Sequence, residues 1–207
     1  MKVKLISLLG LMVILVSCST PSAPEYNPLP SYYQDVSRGW NFFKQNNYAL
    51  AATSFRKAMV NDIDNSLSEA MIGLAWSLAL QDSLISAVDN YEVALLRDPE
   101  SPVPLIYALS GLSFCYRDLE PPDNEKVRDY ALAALDLDEN FVFEYKKSIS
   151  AQDLNAILAE AYFNLEDYDS AAVIVDPDST LDSNAEDYLE ELLSKINQLI
   201  NLSQKGG

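Results

Sequence analysis

A slide of 36 residues lays the chain on itself: Trp40 falls on Trp76, Phe42 on Leu78, Ala51 on Ala87, Phe55 on Tyr91 and Ala58 on Ala94. Self-similarity at such a period marks a chain built from stacked units, none of which can bury its apolar face alone. The match spans two helix-like segments, about 32–45 and 48–61, against 67–80 and 84–97. A further slide of 38 carries Gly73, Leu74 and Trp76 onto Gly111, Leu112 and Phe114. After "RDLEPPDNE" inserts two residues, Ala94 meets Ala134 at a shift of 40. In a fourth unit, "LNAILAEAYFNLEDYDSAAVIV", Ala159, Tyr162, Tyr168 and Ala171 take the places of Ala75, Leu78, Leu84 and Ala87.

The second unit, "LAWSLALQDSLISAVDNYEVALLRDP", has Ala75, Leu84, Ala87, Tyr91, Ala94 and Pro99 at the positions of a known repeat signature. "GWNFFKQNNYALAATSFRKAM" matches through Gly39, Phe42, Tyr48, Ala51, Phe55 and Ala58. On these residues the chain resembles the tetratricopeptide repeat family. The resemblance covers about 31–178 and implies an all-α solenoid of about four helix pairs, at about 31–65, 66–100, 101–140 and 150–178. The packing logic is one of distance: Gly or Ala on a first helix faces Ala on the second, so the backbones approach closely while larger neighbours fill the flanks. Repeat three departs, with Val127 and Ala131 where Ala and an aromatic are expected, and Pro177 shortens the last helix of repeat four.

Three stretches lie outside the pattern. "NFVFEYKKSIS", from Asn140, is apolar enough to pack a connecting turn or short helix beneath the array, and Ser150 with Asp153 forms a helix start. Residues 179–207 supply a capping helix and tail. There "SNAEDYLEELLSKINQLI" opens with Ser183 and Glu186 as a capping box and presents Tyr188, Leu192, Ile196 and Leu199 on one face. A repeat stack needs such a last helix with one wet side.

The N-terminus, "MKVKLISLLGLMVILVSC", joins Lys2 and Lys4 to a 12-residue apolar run, Leu5 to Val16. A spanning helix needs about 20 residues, so the run is that of a signal segment. "LVSC" resembles a bacterial lipobox, which implies a signal peptide over 1–17 and lipid attachment at Cys18; the alternative is an ordinary secretory signal with an incidental cysteine. Ser19, in place of an aspartate, points to the outer membrane, so the expected location is the bacterial envelope, facing the periplasm. From Ser19 to Pro30, "STPSAPEYNPLP" has four prolines and is an extended tether; Ser31 and Gln34 then form a capping box. Cys115 has no partner for a structural disulfide once Cys18 is acylated, and takes a small buried apolar role.

Charge narrows the function. The chain carries 14 basic and 31 acidic residues, a formal −17, and no histidine. The usual general base and metal ligand near neutral pH are therefore missing, and a strongly acidic body lacks the cations a nucleic-acid partner requires. No catalytic residues, cofactor or metal are expected. The acidic run Asp176–Asp187 imitates a calcium loop poorly, with Leu181 where the turn needs glycine and Asp187 where a bidentate glutamate belongs.

A second stripe on the first helices, apart from the one facing their partners, begins with Tyr33, Val36, Trp40 and Phe43. Its counterparts are Glu69, Ile72, Trp76 and Ala79, then Tyr107, Ser110, Phe114 and Arg117, then Asp153, Ala156, Glu160 and Phe163. The family resemblance places this stripe on the concave side, where ligands bind. Two readings compete. In one, Tyr33, Val36, Trp40, Phe43, Trp76, Tyr107, Phe114, Arg117 and Phe163 line a groove for a peptide or helix of another protein. In the other, the rings pack on each other, or the tether or last helix fills the groove. The expected role is a membrane-anchored protein-interaction scaffold, an accessory of an envelope assembly or secretion machine. The alternative is capture of a small apolar or saccharide ligand.

Overall fold

The computed structural model describes residues 30–62, 68–97 and 102–205. The signal segment, Cys18, the tether up to Leu29 and Pro99 lie outside the described residues.

Helices follow the repeat register. The first pair is α1 (Pro30–Lys44) with α2 (Tyr48–Asn61), and the second is α3 (Glu69–Ala79) with α4 (Leu84–Arg97). The third is α5 (Pro102–Asp118) with α6 (Asn124–Leu137), and the fourth is α7 (Ala151–Asn164) with α8 (Tyr168–Val175). A final helix, α9 (Tyr188–Lys205), lies against α7 and α8. Each helix packs on its sequence neighbour, and first helices touch the next first helix along the series. The architecture is all-α, with one isolated β-bridge, Val142 with Ser150, among the described residues.

The turn within a pair is the same device three times over. Asn46, Asp82 and Glu166 take left-handed φ of 58°, 61° and 61° at equivalent positions. The following amide donates back to the first helix: Asn47 to Phe42 O at 2.9 Å, Ser83 to Leu78 O at 3.0 Å and Asp167 to Tyr162 O at 2.9 Å. These bonds satisfy carbonyls that a helix end leaves open. Asn47 and Asp167 then cap the second helix by accepting from the Leu50 and Ser170 amides. Repeat three replaces this turn with the longer 119–123 connection, where Asp123 caps α6 through the Lys126 amide at 3.1 Å.

Between pairs, one ring does the spacing. A Cβ placed on Gly39 would lie 2.6 Å from the Phe55 ring, and one on Gly73 2.4 Å from it, so Phe55 rests on bare backbone of two successive first helices. Tyr91 repeats the contact, 2.2 Å from a Cβ on Gly111. The next interface reverses the sizes. Ala131 stands where Phe55 and Tyr91 stand, and Ile157 where Gly73 and Gly111 stand; both are buried, on helices packed together. Volume moved from α6 to α7 keeps the interface filled.

Two expected helix starts shift. α1 begins at Pro30, ahead of Ser31, since proline at a first helical position forfeits only an amide that would be unpaired anyway. α9 begins at Tyr188, so no capping box forms at Ser183 and Glu186. Instead the loop is held by Asp176, which accepts from Lys195 Nζ at 2.7 Å, the Leu181 amide at 2.8 Å and the Thr180 hydroxyl. Asn184 turns back on Asp182 Oδ1 at 3.0 Å. The start at Ser150 forms as expected: its amide and hydroxyl donate to Asp153 Oδ2 at 2.8 and 2.7 Å. On α9, Leu192 and Ile196 are buried against Ala159 and Ala171, with Tyr188 and Ile200 flanking.

Candidate functional site: a concave face half filled by the chain itself

Each tryptophan of the concave stripe reaches one repeat forward. Trp40 Nε1 donates to Glu69 Oε1 at 3.0 Å, and Trp76 Nε1 donates to the Tyr107 carbonyl at 3.1 Å. Glu69 and Tyr107 occupy the same register position in successive repeats. An indole can therefore bury its body against neighbouring helices and still satisfy its one donor. Burial, opposed by the Trp40 bond and helped by the Glu144 carboxylate, raises the Glu69 carboxyl above its ordinary value.

The α6–α7 connection comes back into this stripe as a short hairpin. The Phe143 amide donates to Ile149 O at 2.8 Å and the Ala151 amide to Phe141 O at 2.7 Å. Phe143 is fully enclosed, stacked on Trp76 at 4.7 Å and edge-on to Tyr107 at 4.8 Å and Phe43 at 5.9 Å. Tyr145 stacks on Trp40 with centroids 3.7 Å apart and planes 2° from parallel, while Lys44 Nζ sits 5.0 Å from its centroid. Lys146 Nζ donates to Asn46 Oδ1 and Tyr48 OH, each at 3.4 Å, tying the connection to the first turn of the array.

This occupancy divides the residues that the sequence assigned to a partner groove. Val36, Trp40, Phe43 and Trp76 are 4, 4, 1 and 2% exposed, so they are core, and a groove open to a partner at these positions is not what the chain forms. Among the described residues the occupant is not the last helix but Phe143 and Tyr145, which the sequence assigned to a connecting turn or short helix. Their signal was present in "FVFEY", where aromatic rings fall at every second position. Tyr107 is half-buried against the hairpin, and Tyr33 stays exposed because Tyr32 is the ring that turns inward, its hydroxyl 3.4 Å from the donating Ala70 amide. Phe163 packs on Tyr168 at 5.3 Å in the small core beneath α9.

What remains open lies beside α5 and the hairpin turn, with the end of α3 and the start of α4 on one side and α7 with α9 on the other. Phe114 and Arg117 are its centre: the guanidinium sits 5.6 Å from the Phe114 ring, and Arg117 Nε donates to Asp118 at 2.7 Å. On one side is a cavity of about 230 Å³ whose walls include Trp76, Leu80, Leu84, Lys146 and Ile149. On the other, sharing Phe114, Arg117, Ser148 and Asp153, is a cavity of about 260 Å³ walled by Ala156, Ile157, Ile200 and Ser203. Cys115 belongs to the first wall, and burial pushes its thiol up to about 12, which keeps it protonated and unreactive.

Nothing in the acidic loop assembles a metal site. Among the described residues no group of three or more potential ligands converges, and Asp176, first of the imagined calcium ligands, is committed to Lys195, Thr180 and Leu181. Among the same residues no helix is long and apolar enough to cross a membrane.

No protein-family model matches the chain, and no curated protein matches it. Solved structures do. A tetratricopeptide repeat protein from Parabacteroides merdae ATCC 43184 aligns at a TM-score of 0.57 with 17% identity, over 85% of this chain and 66% of that one. A thermophilic tetratricopeptide repeat protein of Thermus thermophilus aligns at 0.50 with 16% identity, over 84% and 90%. At such identity the likeness is one of fold, and the fold is that of tetratricopeptide repeat proteins.

Proposed function

We propose that this tetratricopeptide-type array is a non-enzymatic scaffold that binds a segment of another protein in the trough centred on Phe114 and Arg117. The fold is one used for protein–protein interaction, and the trough is the part of its concave face that the chain leaves unfilled. The observation that carries the reading is the hairpin itself. Phe143 and Tyr145 show that this surface seats the rings of a short turned segment, closed by the Lys146 amide donating to Phe143 O at 3.2 Å, and Ile149 of the same hairpin lines the open trough. Two cavities of about 230 and 260 Å³ lie side by side, sharing Phe114, Arg117, Ser148 and Asp153. Each has room for one or two side chains, which suits the anchors of a peptide better than an enclosed saccharide.

Anchoring completes the proposal. Acylation of Cys18 would hold the array at a bacterial membrane, on the outer membrane facing the periplasm, as an accessory of an envelope assembly or secretion machine. More than one acyl chain gives durable attachment, and the acidic body contributes none of its own. A photo-crosslinking residue placed at Phe114 in native membranes should yield a discrete protein adduct, identified by mass spectrometry, that the same residue at Val60 does not. Identical adducts from both positions, or none from Phe114, would overturn the trough as a docking site. Metabolic labelling with palmitate should mark the wild-type chain and not Cys18→Ala.

A further inference from the structure

A second recessed surface lies away from the trough, at the end of the array. A cavity of about 400 Å³ opens between α8, the Asp176 loop and the first turn of α9. Ala172, Val173, Pro177, Leu181 and Tyr188 give it an apolar side, and Asp169, Asp176, Ser179 and Ser183 complete the lining. Val173 is 72% exposed there. Burial, with the Asp169 and Asp176 carboxylates nearby, raises the Tyr188 phenol above its ordinary value.

Charge says what would cover this cavity. Residues 148–194 contain 12 acidic side chains and no basic one, so most of the chain's formal −17 belongs to this end. Asp178, Asp182, Glu186, Asp187, Glu190 and Glu191 are all exposed around the loop and the start of α9. Lys195, just past the stretch, is spent on Asp176. A partly apolar hollow with Asp169 in its lining, at the strongly acidic end of the chain, complements an element that joins apolar and cationic faces.

We propose that the α8–α9 cavity docks a cationic amphipathic helix of a partner protein, an apolar side chain seated on Val173 and Leu181 and lysines or arginines facing the exposed carboxylates of the loop and α9. The site is separate from the Phe114 trough, so either stands without the other. The test uses a helical peptide of leucine and lysine, its leucine–glutamate counterpart and spermine, titrated against the full chain at moderate salt. The lysine peptide should bind, the glutamate peptide should not, and amide shifts should gather at Ala172, Val173 and Leu181.

Val173→Glu is the decisive variant, because it adds a negative charge while removing the apolar contact. It should weaken the lysine peptide by about 10-fold, the worth of one buried valine side chain. Val60→Glu, at an even more exposed position on α2, should leave affinity unchanged. Binding to Val173→Glu as tight as wild type or tighter would reduce the effect to general charge attraction and overturn the proposal. So would spermine displacing the peptide completely, or shifts lying elsewhere on the array. Circular dichroism of both variants confirms that they fold.

Discussion

From α1 to α5 the concave row carries Trp40, Phe43, Trp76 and Tyr107; on α7 the same row carries Asp153, Ala156, Glu160 and Phe163. The first stretch is filled by Phe143 and Tyr145 and has become interior, while the second is bordered by open cavities. Rings spaced for a groove are also rings spaced to be buried, and a repeat array has no other way to cover them than with a partner or with itself. Here the longest connection in the described array folds inward and does so. Where the row turns small and charged, nothing drives the chain back over it. The difference teaches that concavity alone does not make a binding face; what matters is how much of it the chain has already used.

The largest test of that contrast is Phe143→Ala. It empties a site enclosed by Trp40, Phe43, Trp76 and Tyr107, and should cost about 3–5 kcal/mol in denaturant unfolding. Phe114→Ala, at the half-open trough, should cost clearly less. Equal losses would erase the distinction between the two halves.

Next comes the reversed interface. Ala131→Phe alone should destabilise by about 1–3 kcal/mol through overpacking. Combined with Ile157→Gly, which restores the size order of the earlier repeats, the pair should be less destabilised than the sum by about 1–2 kcal/mol. Strict additivity in thermal or denaturant melts would mean that the two residues do not share one volume.

The halves also differ in how stability responds to acid. Lys195 first, then Thr180 and the Leu181 amide, hold the Asp176 carboxyl well below the usual carboxylate range. An unfolded aspartate titrates near about 3.9, so this contribution is complete above that pH and disappears as pH falls through the lower folded value. Asp176→Asn should therefore lower stability at pH 7 and flatten the acid limb of the melting profile. Glu69 has the opposite sign. Its carboxyl is raised by burial, so the folded state loses stability as pH rises from the usual glutamate range through the folded value. Glu69→Gln keeps an acceptor for Trp40 and should gain stability at pH 7, with the gain shrinking as pH falls toward about 4.

The smallest expected effect separates nothing, which is its use. Asp82 and Glu166 hold the same left-handed turn in the two halves. Replacing either by glycine should raise stability by roughly 0.5 kcal/mol, since the conformation is strained for a side chain and free for glycine. Markedly unequal gains would show that the shared turn carries different loads in the two repeats.

Much of this architecture could be read from residue type and spacing. Helices expected at about 48–61 and 84–97 are observed as Tyr48–Asn61 and Leu84–Arg97, because Ala51, Ala58, Ala87 and Ala94 tolerate only one close helix pairing. Pro177 stops α8 at Val175 by the same local rule that made it legible. The inward face of α9 was legible through Tyr188, Leu192 and Ile196, but its last member is Ile200 and not the expected Leu199, because the spacing of four continues. The start of α9 was not, since the Asp176 carboxylate that organises the preceding loop is held by Lys195 nineteen residues away, a contact no local pattern announces. The trough had a partial signal in Phe114 and Arg117, but its walls come from Ile149, Ile157 and Ile200, on three elements.

The repeat register, the helix pairs and the identity of the concave row are properties of neighbours three, four and thirty-six residues apart, and the primary structure settles them because backbone periodicity and ring volume act at short range. Which rings of that row stay available was settled only in three dimensions. Lys146 meets Asn46 across one hundred residues, and Phe143 enters a space that exists only after α1, α3 and α5 have stacked. A cavity shared by helices distant in sequence leaves no period in any one of them, so its occupant is known only once the stack has closed around it.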